Sequence, residues 1–183
     1  MKYLAFVLLL IPATANGGSK ITRFSMGGDI DVDNARHGAV LRTMGGDIRI
    51  ERAGGTVVAK TMGGNIRVDH LEGSLDAGTL GGNVEVEVLG AAAGRDIKIT
   101  SLGGEIELTL PKDFAADFEI ELEQDDDGAP SQIRSDFPLN IRESTRRHWF
   151  RKVNVLTATG RNGNGGTRVR LWTAGADITI RRR

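Results

Sequence analysis

Glycine pairs followed by an acid or an amide recur along the chain: Gly27-Gly28-Asp29, Gly45-Gly46-Asp47, Gly63-Gly64-Asn65, Gly81-Gly82-Asn83 and Gly103-Gly104-Glu105. Carboxylates beside tight turns are what a calcium ion requires, since it gathers about 6–8 oxygen ligands. The calcium-binding β-roll repeats G-G-x-G-x-D-x-U-x. GGDIDVDNA keeps the glycine pair but has Ile30 in place of the next glycine, and Val32, Ile50 and Val68 hold the aspartate position. A calcium-dependent roll is therefore an alternative, and the leading reading of G-G-D/N is a structural corner. The run Asp125-Asp126-Asp127 offers a second place for a weakly held ion, although it reads as a solvated acidic loop.

Polysaccharide cleavage is the enzymatic alternative, and it needs two carboxylates at a set separation or a base beside cations. The acids here fall on regular ladders, and no pair stands apart from them. His37, His70 and His148 have different neighbours, with neither a GxSxG nor a metal-spaced histidine pair nearby. No catalytic, cofactor-binding or metal-ligating residue is therefore assigned. The sharpest candidate interaction surface is Arg146, Arg147, His148, Trp149, Phe150, Arg151 and Lys152, where bases flank a pair of aromatics, with Arg181 to Arg183 closing the chain. Such a stretch suits an anionic polymer or a lipid surface. The competing reading is that Trp149 and Phe150 cap an open end of the core.

These residues sit in a repeat. SMGGDID, TMGGDIR and TMGGNIR begin at residues 25, 43 and 61, and the glycine pairs follow one another by 18 until the fifth, which comes after 22. After each pair the chain alternates apolar and polar: Ile30 and Val32, Ile48 and Ile50, Ile66 and Val68, Val84 and Val86, Ile106 and Leu108. A second alternating run lies midway, with Ala39 and Leu41, Val57 and Ala59, Leu75 and Ala77. Period two predicts strands with one buried face, so each unit holds two short strands and two turns.

Stacked units make an all-β, single-stranded β-solenoid of about 18 residues per coil, with equivalent residues about 4.8 Å apart. The alternative is an antiparallel meander or sandwich, in which RIERAGGTVVA is a hairpin around Ala53-Gly54-Gly55. Stacking is preferred because it alone brings identical residues at a fixed interval into contact. It predicts an inner column of Met26, Met44, Met62, Leu80 and Leu102. The paired glycines then turn the corner by positive φ or close backbone approach. The Asp and Asn after each pair tie turn amides. Asp31, Arg49, Arg67, Glu85 and Glu107 form an outer column of charges.

Regular repeats span residues 21–110, irregular strands and loops 111–172, and a closing repeat 173–180, TAGADITI. That copy begins 72 residues after the one headed by Gly103, with no convincing motif between them. Residues 1–15, MKYLAFVLLLIPATA, have a basic second residue, an apolar run and small residues at positions 13 and 15, the layout of a secretory signal cleaved before Asn16. The remaining 16–183 read as one domain with no spanning segment. The chain lacks cysteine, so neither disulfides nor cysteine metal sites contribute. Residues 16–141 carry 22 acids and 12 bases, whereas 142–183 carry two acids and 11 bases, so an acidic body joins a basic end.

Together the T-M-G-G-D-I-x-I units, Leu110 to Phe114 (LPKDF), Ser135 to Leu139 (SDFPL) and the final R-V-R-L-W-T-A-G-A-D-I-T-I resemble the bacterial putative adhesin domain family. The likeness covers roughly Ile21 onward. It implies a β-helix fold and an exported or membrane-tethered protein of undefined function, and it supplies no catalytic residues. Departures are GRNGNGGT in the last turn and Ala174 and Ala176 at the last corner. The expected function is a non-enzymatic interaction or surface-structural module, periplasmic, cell-surface or secreted. Its expected partner is a cell-surface glycan, an envelope protein or another copy, with no cofactor; export argues against nucleic acid.

Overall fold

The computed structural model describes residues 19–90, 94–124, 130–148 and 151–183. Every regular element among them is a strand, and among them no helix is long and apolar enough to cross a membrane. Five coils follow the repeat. One sheet stacks β1 (Ile21–Ser25), β3 (Ala39–Thr43), β5 (Val57–Lys60), β7 (Leu75–Thr79) and β9 (Asp96–Ser101) in parallel. The other stacks β2 (Ile30–Ala35), β4 (Ile48–Ala53), β6 (Ile66–Leu71), β8 (Val84–Val88) and β10 (Ile106–Leu110). Ile30, Ile48, Ile66 and Val84 are neighbours in register, one per coil. The structure is thus a β-solenoid. The hairpin expected around Ala53-Gly54-Gly55 in a meander is absent, because β4 and β5 lie in different sheets.

Beyond β10 the chain order departs from the stacking order. The next strands are β11 (Ala116–Glu123), β12 (Ile133–Ser135), β13 (Asn140–His148) and β14 (Arg151–Asn162), followed by β15 (Thr167–Ala174) and β16 (Ile178–Arg182). In the first sheet β15 lies between β9 and β11, and in the second β16 lies between β10 and β12. The final coil is inserted between two coils made before it. Ile97 faces Val169 and Ile106 faces Ile178, so the separation of 72 residues is direct stacking. The chain reverses into this slot through Asn162–Thr167, where Gly163, Gly165 and Gly166 have φ of 60°, 68° and 114°. Only glycine adopts such angles readily. Finally β14 and β13 extend the first sheet with antiparallel pairing.

Inward residues of both sheets form one apolar column set, with Leu41, Ile50, Ala59, Ile99, Leu108 and Leu171 at 2 % exposure or less. Burial of each Val, Leu or Ile contributes about 1.5–3 kcal/mol. The two ends are finished differently. At the first coil Arg23 occupies the register position of Leu41, and its guanidinium donates across the coil to the Asp31 carbonyl. An inward charge at a sheet edge discourages further strand addition. At the far end the Phe118 and Phe137 rings meet at a tilt of 39° with centroids 5.5 Å apart, and the Arg182 guanidinium lies 4.9 Å from the Phe137 ring centre. The LPKDF and SDFPL motifs thereby place buried Phe114 and Phe137 at this end.

The corner corrects the expected inner methionine column. Met26, Met44, Met62, Leu80 and Leu102 are exposed, and the inward residue is the hydroxyl one position earlier. Alternation from Ala39 through Leu41 reaches Thr43, so Met44 turns outward. Buried Thr61 donates to the Gly46 carbonyl of the preceding coil at 2.9 Å and accepts from the Gly64 amide at 3.2 Å. Thr43, Thr79 and Ser101 repeat both bonds. An apolar side chain there would leave a buried carbonyl and a buried amide unsatisfied.

Glycine serves this corner by close approach. A Cβ on Gly64 would lie 2.1 Å from the Gly46 oxygen, whereas one on Gly63 would meet nothing within 4 Å. Positive φ, the other expected route, is absent from Gly27, Gly28, Gly45, Gly46, Gly63, Gly64, Gly81, Gly82, Gly103 and Gly104. The closing corner keeps its hydroxyl, with Thr173 donating to Gly104 O at 3.0 Å, but has Ala176 as the second residue of the pair and takes φ of 75° at Gly175.

Candidate functional site

Three surfaces result from this construction, and only two have side chains left over from it. The outer wall of the second sheet carries a shallow groove lined by Asp29, Asp31, Asp47, Arg49, Asn65, Arg67, Asn83 and Glu85. Its polar groups hold coils together. The Asp29 carboxylate accepts from the Asp47 amide at 2.8 Å, Asp47 from Asn65 at 2.7 Å, Asn65 from Asn83 at 2.9 Å and Asn83 from Glu105 at 2.9 Å. Each side chain thus ties its corner to the next coil rather than closing its own turn. Arg67 bridges Asp69 and Glu85, and both hold its guanidinium above the ordinary arginine range, the Asp69 hydrogen bond most strongly. Among the described residues no group of three His, Cys, Asp or Glu side chains could hold a metal ion.

The second surface is an apolar ridge along the glycine-pair corner. Met26, Met44, Met62, Leu80 and Leu102 stand one per coil, with the open side of Gly27, Gly63 and Gly81 beside them. Phe24 of β1 flanks it at the first coil. Of the seven exposed large hydrophobics among the described residues, five stand on this ridge, and Phe24 and Ile141 are the others.

The third is the β13–β14 ribbon. β11 pairs with β14 only as far as Glu123–Val155. The Gln124 amide still donates to the Asn154 carbonyl at 2.8 Å, so the pairs Arg146–Val153, Arg147–Lys152 and His148–Arg151 continue the ribbon beyond the last described bond to β11. Residues 145–154 contain four Arg or Lys and no acid. Arg146 reaches back to the Glu121 carboxylate at 2.7 Å, a bond that raises its affinity for its proton. Glu121 and Glu123 also line the sheet below it. Register places Arg147 opposite Lys152 and His148 opposite Arg151. Lys152 is exposed. Trp149 and Phe150 lie outside the described residues, as does the Asp125–Asp127 loop.

The other candidates separate in space or are occupied. His37 is in the turn before β3, His70 is on β6 with Nδ1 3.1 Å from the Glu51 carbonyl oxygen, and His148 ends β13. Arg181, Arg182 and Arg183 engage Glu107 at 3.1 Å, the Asp136 carbonyl at 2.8 Å and Glu87 at 2.6 Å, so the terminal bases bind their own chain. Sequence reasoning missed the ridge. Its signal was present as Ser25, Thr43, Thr61, Thr79, Ser101 and Thr173, six hydroxyls at one position of the repeat.

The family model described as Toastrack DUF4097 matches residues 19–181, from the first described strand to the last. The chain belongs to this family, whose function is unknown. No curated protein and no solved structure matches it.

Proposed function

We propose that this Toastrack family chain is an exported, non-enzymatic, adhesin-like interaction module, with the end of the β13–β14 ribbon as its contact element and an anionic cell-surface glycan as its partner. The observation that carries this reading is the register of the ribbon's end, which sets Arg147 against Lys152 without an acid in residues 145–154. A like-charged cross-strand pair costs folding free energy, so an external anion that neutralises it gains what the isolated fold forfeits. The wall groups serve the fold instead: the carboxylates and amides of Asp29, Asp47, Asn65 and Asn83 are bound to backbone amides of the next coil. Export rests on the apolar leader pattern of residues 1–15.

A glycan array read at rising salt tests it. Saturable binding to acidic glycans that weakens as salt increases is the expected result, with at least a tenfold loss in an Arg147→Glu/Lys152→Glu variant of unchanged circular dichroism. Equal binding by that variant, or no saturable binding to any acidic glycan, would overturn the reading. New reducing ends on incubation with those glycans would replace it with the enzymatic one.

A further inference from the structure

The ridge is independent of the ribbon and points to a different partner. Monomeric proteins rarely leave a contiguous apolar patch uncovered, yet Met26, Met44, Met62, Leu80 and Leu102 are 75 %, 46 %, 51 %, 51 % and 52 % exposed along a single corner, with Phe24 of β1 69 % exposed on its flank. We propose that this ridge joins two copies of the chain side by side, with their solenoid axes parallel and the two-fold running along the stack.

Periodicity selects a second copy. Rungs of the ridge recur at the strand spacing of about 4.8 Å. A partner helix advances about 5.4 Å per turn and slips about half a rung over four intervals. A second ridge stays in step at every coil. The glycine column beside the ridge leaves room for the opposing side chains, since nothing lies within 4 Å of a Cβ on Gly27, Gly63 or Gly81. A membrane is disfavoured because Asp29, Asp47 and Glu105 are exposed along the same corner and repel anionic headgroups.

Charge on the two flanks selects the direction. On the side of the first sheet, Arg42 and Lys60 follow Phe24 in register. Arg42 is exposed, and Lys60 is shared with Asp76 at 2.7 Å. On the side of the second sheet run Asp29 and Asp47. A two-fold along the stack sets the Arg42 flank of each copy against the Asp29–Asp47 flank of the other, at the same level. A two-fold across the stack would set acidic flank against acidic flank and bring Asp29 towards Glu105. The parallel pairing is isologous and closes on itself, as a two-fold interface must. Arg23, reaching inward at the first coil, discourages the competing end-to-end addition of strands.

The chain has no native cysteine, so single introduced cysteines report the arrangement cleanly. Met44→Cys and Leu80→Cys should each form a covalent homodimer under mild oxidation, because each rung meets its own counterpart. Glu72→Cys, at the opposite corner, should not. Sedimentation of the unmodified protein should show a dimer, and Met44→Lys/Met62→Lys should raise its dissociation constant at least tenfold without altering circular dichroism. A monomer throughout the concentration series, or a dimer indifferent to the lysines, overturns the proposal. Cross-linking by Met62→Cys but by neither Met44→Cys nor Leu80→Cys overturns the parallel arrangement, because a two-fold across the stack pairs Met44 with Leu80.

Discussion

The Thr61 hydroxyl lies 2.9 Å from the Gly46 carbonyl oxygen of the coil before it, and it accepts the Gly64 amide three residues on. One side chain thereby closes its own corner and fastens that corner to its neighbour. Because the bond recurs from coil to coil, the S/T-M/L-G-G motif is a construction unit. Its hydroxyl is inside, its apolar residue outside, and its second glycine pressed against the preceding coil.

The two glycines of a pair should behave differently. Gly64→Ala sets a methyl 2.1 Å from the Gly46 oxygen and must shift backbone, so a loss of about 3 kcal/mol or more is expected, near the upper range for overpacking. Gly63→Ala meets open space and should change stability by no more than about 0.5 kcal/mol, as surface substitutions do. Urea unfolding of the two variants measures the difference.

The inserted final coil makes a prediction for hydrogen exchange. Terminal segments ordinarily fray and exchange early. β15, however, is bonded on both edges, to β9 and β11. Amides of Val169 and Leu171 should exchange as slowly as those of Val57 and Ala59, and the edge strand β1 should exchange faster than either. Early exchange throughout residues 167–182 would show that the insertion is not part of the stable fold.

Asp117 should titrate below the ordinary carboxylate range. The Arg161 guanidinium is the main cause, followed by the Gly166 amide. The sign follows from linkage: a carboxylate depressed in the folded state stabilises the fold above its unfolded pKa of about 3.9, and that contribution is lost as pH falls through the folded value. Carbon-detected NMR titration should find the Asp117 midpoint low in the unmodified chain and higher in Arg161→Ala. Equal midpoints would assign no role to the pair.

Much of this architecture was legible because the apolar alternation and the 18-residue step are visible without a structure. Ile30, Ile48, Ile66 and Val84 are both the repeat and the column they form. The corner was misread by one residue. Met44 looked like a core residue by type, but the strand's inward positions end on Thr43, where a hydroxyl is needed to satisfy backbone. The place of the last coil was hidden for another reason. Alternation tells a strand which face to bury and says nothing about which neighbours it joins, so β15 between β9 and β11 had no local signal beyond the unexplained 72-residue offset. The bond from Arg146 to Glu121 was hidden in the same way, since it depends on the strand order β11–β14–β13.

Paired urea unfolding of Thr61→Val and Met62→Ser, at concentrations where the chain is monomeric, tests the inverted corner most directly. Thr61→Val leaves a buried carbonyl and amide unbonded, so it should cost about 1–3 kcal/mol, while Met62→Ser removes only exposed surface and should cost no more than about 0.5 kcal/mol. A loss of about 2–5 kcal/mol in Met62→Ser, the range for truncating a core residue, with Thr61→Val near neutral, would contradict it.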